Sequence, residues 1–164
     1  MILVTHGIVG ASVALSVTGN PVLGGVLAFA SHFVLDMIPH WDYQVKSLSQ
    51  SNDAKEMFIK KGINLYTDIC KVAFDGLLGL SVPLVITLLV LDNHLYIALI
   101  GATCGIIPDF LQAVYFKTHT KILEKFAILS IKLHTKIRFD NRPVIGLLMQ
   151  STLWIASIVY IALI

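Results

Sequence analysis

His32 and Asp36 stand four residues apart in an apolar stretch, and Pro39-His40-Trp41-Asp42 adds a second imidazole and a second carboxylate just beyond them. Residues at i and i+4 share one face of a helix, so the first pair can converge on a single point, as ligands of a metal ion do. His6, Asp75 and Asp109 lie in other apolar stretches. Mixed imidazole and carboxylate sets suit Zn, Mn or Fe, whereas all-oxygen sets suit Mg or Ca. The candidate ligands His6, His32, Asp36, Asp75 and Asp109 are too many for one four-coordinate zinc. The expectation is a divalent metal, Zn or Mn: either one ion with a spare carboxylate as base, or two ions. A two-metal clamp is the usual arrangement for phosphoester hydrolysis.

The elements that must position these residues are apolar helices. The chain has 164 residues, of which 56% are hydrophobic and 13% charged, and its mean hydropathy is +0.81. Soluble domains carry about a quarter charged residues, so the composition indicates an integral membrane protein of one domain, 1–164. The expected fold is an all-α polytopic bundle with about five membrane spans, near residues 2–18, 21–38, 70–91, 94–114 and 143–164. Gly19-Asn20-Pro21 and Asp92-Asn93 read as tight turns, with Pro21 suited to a helix start. Asn52 or Asp53 suits the cap of a short helix. Pro83 marks a possible kink in the third span. The first stretch has no basic residues ahead of it and reads as a retained helix rather than a cleaved signal. Cys70 and Cys104 lie in hydrophobic runs and carry no disulfide signature.

Charge sets the expected orientation. The Lys and Arg residues fall in two segments, one from Lys46 to Lys71 and one from Lys117 to Arg142. Positive loops stay cytoplasmic, which places the N-terminus and both long loops inside an inner (cell) membrane. In the second segment, Leu123, Phe126, Leu129, Leu133 and Ile137 fall on one helical arc, and Lys121, Lys125, Lys132 and Lys136 on another. This predicts an amphipathic helix over about 118–137, lying on the membrane and facing anionic lipid headgroups. The alternative is a solvated helix packed on the bundle. Nucleic acid is the less fitting anion.

Depth ties the polar groups together. Counted inward from the turns at about 1.5 Å per residue, Asp36 lies about 24 Å from Asn20, His6 about 20 Å from Gly19, Asp75 about 25 Å from Asp92, and Asp109 about 22 Å from His94. Four helices thus bring an ionisable group to one level near the cytoplasmic boundary of a core about 30 Å thick. Carboxylates crowded at one level repel unless cations lie between them, and the available cations are metal ions, Lys71 or protons. Each residue also has a plainer reading. His6 suits an interfacial hydrogen bond, Asp109 a helix cap, Trp41 and Tyr43 interfacial anchors, and Asp36 an ion pair with Lys71. His134 sits at the edge of the apolar arc of the predicted surface helix, where it reads as an interfacial group or as one that reaches over the site. Gly101 and Gly105, like Gly7, Gly10 and Ala11, permit close helix approach.

The Thr5-His6-Gly7 start, the Gly24-Gly25 stretch, the Ser31-His32-x-x-Leu35-Asp36 helix and Ile107-Pro108-Asp109 resemble the small bacterial inner-membrane metal-dependent hydrolases of the YdjM type. The resemblance extends over residues 1–110 and implies His6, His32, Asp36 and Asp109 as metal ligands. The chain lacks that family's His-Arg-Gly-x-Thr-His segment, and Pro39-His40-Trp41-Asp42 stands in place of a Leu-Pro-Asp-type helix end.

The first functional expectation is therefore a membrane-embedded metal-dependent hydrolase acting on a lipid phosphoester or similar ester at the cytoplasmic leaflet. Asp75 or Asp42 would be the general base, and His40 or His134 would protonate the leaving group. A divalent-cation transporter would use the same ligands without chemistry, and a membrane scaffold would satisfy them by hydrogen bonds. Ser31 lacks the surroundings of a nucleophile elbow. The sequence has no Walker loop, Rossmann fingerprint or zinc-finger spacing.

Overall fold

A computed structural model of the chain describes residues 1–17, 19–49, 51, 53–91, 94–137, 139 and 142–164. Thr18, Gln50, Asn52, the Asp92-Asn93 turn and Arg138 lie outside the described residues, as do Asp140 and Asn141. Among the described residues six α-helices run in the order α1 (Leu3–Leu15), α2 (Pro21–Met37), α3 (Ile63–Val90), α4 (Leu95–Thr118), α5 (Lys121–Leu133) and α6 (Pro143–Leu163). A single 3-10 turn at Ala54–Glu56 interrupts the long loop between α2 and α3. Among the described residues there is one isolated β-bridge, Leu48 to Ile59.

Three helices, α3, α4 and α6, are long and apolar enough to cross a membrane, while α1 and α2 are shorter apolar helices. The third and fourth helices outrun the expected spans because their polar ends stay helical. Asn64 and Asp68 extend α3 below the apolar run, and Phe116 to Thr118 extend α4. Pro83 lies inside a continuous α3, where the Thr87 hydroxyl donates to the Pro83 carbonyl at 2.8 Å.

The arrangement follows from where apolar side chains can go. α1 is apolar apart from Thr5, His6 and Ser12, and these polar groups, costly in hydrocarbon, are turned into the protein. It packs against α2, α3, α4 and α6, and eleven of its thirteen residues are buried. The enclosure is close because it is lined with glycine. A Cβ on Gly7 would overlap the carbonyl of Gly79, and a Cβ on Gly105 would overlap the carbonyl of His6. At the end away from the ionisable residues, Ala11, Ala14, Leu15, Ile97, Ala98, Ala102 and Ile161 form a dry core.

Outward-facing positions are also apolar. Val22, Val26, Phe74, Leu77, Leu89, Phe110, Leu148, Ile155 and Leu163 are exposed, whereas Thr5, His6, His32, Asp36 and Gln150 are buried. An apolar exterior around a polar interior is what hydrocarbon surroundings select.

The predicted amphipathic helix is α5, shorter than expected at Lys121–Leu133. Its inner face is used within the protein. Ala127 joins a core with Ala54, Met57, Tyr115 and Phe116, and Phe126 lies against Phe29 and Phe33 of α2 at ring separations of 6.3 and 6.0 Å. The lysines Lys121, Lys125, Lys132 and Lys136 remain exposed, alongside Ile122 and Leu129.

Candidate metal centre

The centre is built where α2 ends. Asn20 caps the helix through its side chain, which accepts from Leu23 N at 3.0 Å, and Pro21 opens the first turn. The helix then carries His32 and Asp36 on one face until it stops before Pro39. His32 Nε2 lies 3.2 Å from Asp36 Oδ2, and His6 Nε2 of α1 lies 3.2 Å from Asp36 Oδ1. The two imidazoles stack with ring centroids 3.9 Å apart. Asp109 of α4 brings its Oδ1 to 3.7 Å from the same His32 nitrogen.

The glycine of α4 sets both histidines. Because Gly105 has no side chain, α4 closes onto the His6 carbonyl. Its own carbonyl is 2.9 Å from His32 Nδ1. A carbonyl can only accept, so Nδ1 carries the proton. In a neutral ring Nε2 then presents a lone pair, aimed at carboxylate oxygens that are themselves acceptors. His6 is fully buried, and neither of its ring nitrogens has a hydrogen-bond partner among the described residues; the 3.2 Å approach to Asp36 lacks hydrogen-bond geometry. Buried polar atoms are ordinarily satisfied. An acceptor-rich pocket of this kind can hold a cation, and a backbone carbonyl behind Nδ1 is the usual support of a metal-binding histidine.

A second group meets the first at Asp36. Ligand atoms of Asp36, His40 and His134 lie within 4.8 Å of one another, as do those of His6, His32 and Asp36. These buried and half-buried His and Asp residues can hold a metal ion. His40 and His134 are neighbours, with rings edge-on and centroids 4.8 Å apart. They come from segments held together by backbone hydrogen bonds, Thr135 N to Asp36 O at 2.8 Å and Phe139 N to His40 O at 3.1 Å. Burial, and then the nearby Met1 amine, lower the His40 imidazole from 6.5 to about 4. Burial also lowers His134.

Asp42 is half-buried on the far side of the Met1 amine, which lies 3.4 Å from Asp42 Oδ2 and 3.2 Å from Asp36 Oδ1. Burial opposes the charge on that amine, but Asp42, Asp36 and Asp109 together raise its pKa above the ordinary value.

Asp75 is placed differently. Its two oxygens accept from Leu3 N at 2.7 Å and Val4 N at 3.0 Å, so it caps the first turn of α1 from α3. Helix N-termini leave such N–H groups without intrahelical partners, and α1 has no cap of its own. Asp75 is thus committed to two amides and does not join either group of ligand atoms, and Asp109, although 3.7 Å from His32, lies outside both groups as well. Lys71 pairs with Asp68 at 3.5 Å rather than with Asp36.

Two polar residues on which the sequence reading placed no role brace the site. Gln150 is fully buried in α6. Its Nε2 donates to Trp41 O at 2.8 Å, and its Oε1 accepts from Thr5 Oγ1 at 3.0 Å. Trp154 Nε1 donates in turn to Thr5 Oγ1 at 2.7 Å. The signal in the sequence was an amide alone in an apolar span, which costs free energy unless it is bonded.

Comparison with known proteins finds no matching family model, no matching curated protein and no matching solved structure.

Proposed function

We propose that the protein is a membrane-embedded metal-dependent hydrolase whose site lies at the cytoplasmic boundary and whose substrate is a lipid phosphoester or similar ester. One observation carries the reading. His32, with Nδ1 committed to the Gly105 carbonyl, turns Nε2 toward Asp36 and Asp109. The ligand atoms of His6, His32 and Asp36 lie within 4.8 Å of one another, the His6 ring has no hydrogen-bond partner among the described residues, and a divalent cation is an occupant that satisfies all three. The competing cations are a proton on His32 and the Met1 amine, which lies 3.2 Å from Asp36 Oδ1.

His6, His32, Asp36 and Asp109 would hold the ion, as the resemblance to the YdjM-type hydrolases also implies. Bound there, a divalent metal lowers the pKa of a water and polarises a phosphoryl or acyl oxygen. Asp42, half-buried and linked to Asp36 through the Met1 amine, would accept a proton from that water, since both oxygens of Asp75 are occupied by amides.

The lipid class is supported by a groove of about 310 Å³ whose lining is mainly apolar, with Ile38, Leu148, Met149 and Leu153 beside the polar Gln150 and Thr152, and which includes Met1. Met1 connects it to the cluster, because its backbone amine is the one beside Asp36. An acyl chain lying against α6 would bring its headgroup to the end of α2. In the membrane, α1 and α2 complete a five-span arrangement with the N-terminus and both basic loops in the cytoplasm. α1 is about 20 Å long, which suffices because its neighbours rather than lipid surround it. The exposed lysines of α5 would then face anionic headgroups.

The test uses purified protein in vesicles of mixed zwitterionic and anionic phospholipid, supplied with Zn²⁺ or Mn²⁺. Metal-dependent release of a water-soluble phosphoester or of a free fatty acid is expected, and Asp36→Asn should abolish both turnover and bound metal. Turnover by Asp36→Asn equal to that of the native protein contradicts the reading. Metal uptake into vesicles without hydrolysis would indicate a carrier instead.

A further inference from the structure

The geometry points to a second divalent-cation site formed by His40, His134 and Asp36, with the Asp36 carboxylate shared between two ions. This deepens the metal-site reading above and rests on it.

His40 is fully buried, yet its Nε2 has no hydrogen-bond partner among the described residues. Its other nitrogen, Nδ1, lies 2.7 Å from the carbonyl of Ile38, which fixes the proton there and leaves a lone pair on Nε2. His134 repeats the pattern with Nδ1 3.2 Å from the carbonyl of Thr135. In this respect His40 and His134 match His32, whose Nδ1 is held by Gly105. Three imidazoles backed by main-chain carbonyls thus converge on one carboxylate from two sides.

Asp36 can serve both sides. A carboxylate offers two oxygens and about four lone-pair positions, and His6 and His32 each engage one oxygen from the side of α1 and α4. Oδ1 also accepts from the Met1 amine at 3.2 Å, and the ligand atoms of His40 and His134 approach the same carboxylate within 4.8 Å. Two imidazoles and a carboxylate suit Zn, Mn or Fe better than Mg or Ca. Paired ions in such centres stand about 3.5–4 Å apart and clamp the attacking and leaving oxygens of a phosphoryl group. A shared Asp36 therefore favours phosphoesters within the ester class, since such a pair can clamp both oxygens of an in-line displacement. It also makes His40 and His134 ligands rather than proton donors. The segment after α5 becomes part of the centre, held by the bonds from Thr135 N to Asp36 O and from Phe139 N to His40 O.

The experiment is metal titration of the full-length protein in detergent, with Zn²⁺ read by elemental analysis after dialysis and Mn²⁺ read by electron paramagnetic resonance. The native protein should retain two equivalents and give a spin-coupled Mn²⁺ signal. His134→Gln, at the half-buried rim, should retain one equivalent and an uncoupled signal, and His40→Ala should do the same. One equivalent in the native protein, unchanged in His134→Gln and lost in His32→Ala, overturns the second site while leaving the first intact. No retained metal in the native protein overturns both. The native stoichiometry and coupling decide the question even where a variant fails to fold.

Discussion

The main-chain carbonyl of Gly105 lies 2.9 Å from His32 Nδ1, and the space that Gly105 leaves empty is filled by the carbonyl of His6. One residue of α4 therefore fixes the tautomer of one histidine and the approach of the helix bearing the other. Gly105→Ala forces a Cβ into the His6 carbonyl. Overpacking of this kind costs about 1–3 kcal/mol, and the displacement separates α1 from α4. The expected result is a lower melting temperature together with weaker retention of metal, measured on one purified sample by thermal unfolding and elemental analysis. Normal metal content in a folded Gly105→Ala protein would show that the glycine does not set the centre.

Asp75 separates capping from ligation. Its carboxylate accepts from the amides of Leu3 and Val4, and hydrogen bonds to charged groups contribute about 1.5–3 kcal/mol each. Asp75→Asn should lower stability by an amount in that range and leave the metal stoichiometry unchanged. Loss of metal without loss of stability would return Asp75 to the ligand set.

The contrast between Asp75 and Asp36 shows what the sequence can and cannot convey. Counting residues inward from the turns gives depth along a helix, and by that count both carboxylates lie at one level. It gives no bearing around the bundle axis, and the bearing decides that Asp36 meets His6 while Asp75 meets the start of α1. The i, i+4 relation of His32 and Asp36 was legible because it is local to one helix. The pairing of Thr135 with Asp36 and of Phe139 with His40 is not, since those segments are far apart in the chain. The apolar arc of α5 was legible as an arc, but the hydrophobic pattern is the same whether Phe126 faces lipid or, as here, Phe29 and Phe33. The central place of α1 has the same character: composition marks it as one apolar helix among five, and only packing shows that four others enclose it.

Acid should destabilise the metal-stripped protein. Burial and the Met1 amine lower His40 from 6.5 to about 4. Between those values the unfolded chain binds a proton that the folded chain refuses, so stability rises with pH across that interval. The contribution is complete above about pH 6.5 and is lost as pH falls toward 4. Its size is at most about 3.5 kcal/mol, from about 1.4 kcal/mol per pH unit over the interval between those values. His134, also lowered by burial, acts in the same direction. Thermal unfolding in detergent with a chelator, from pH 7 to 4.5, should show falling stability that His40→Gln reduces. A flat profile for the native protein would contradict this.

The most direct measurement is anomalous diffraction from crystals of the protein grown with Zn²⁺, recorded on both sides of the zinc absorption edge. An ion held as described gives a peak among His6, His32 and Asp36, about 2.0–2.1 Å from His32 Nε2. A metal-replete crystal with no peak there, and with Asp36 instead within hydrogen-bonding distance of a protonated His32, would contradict it.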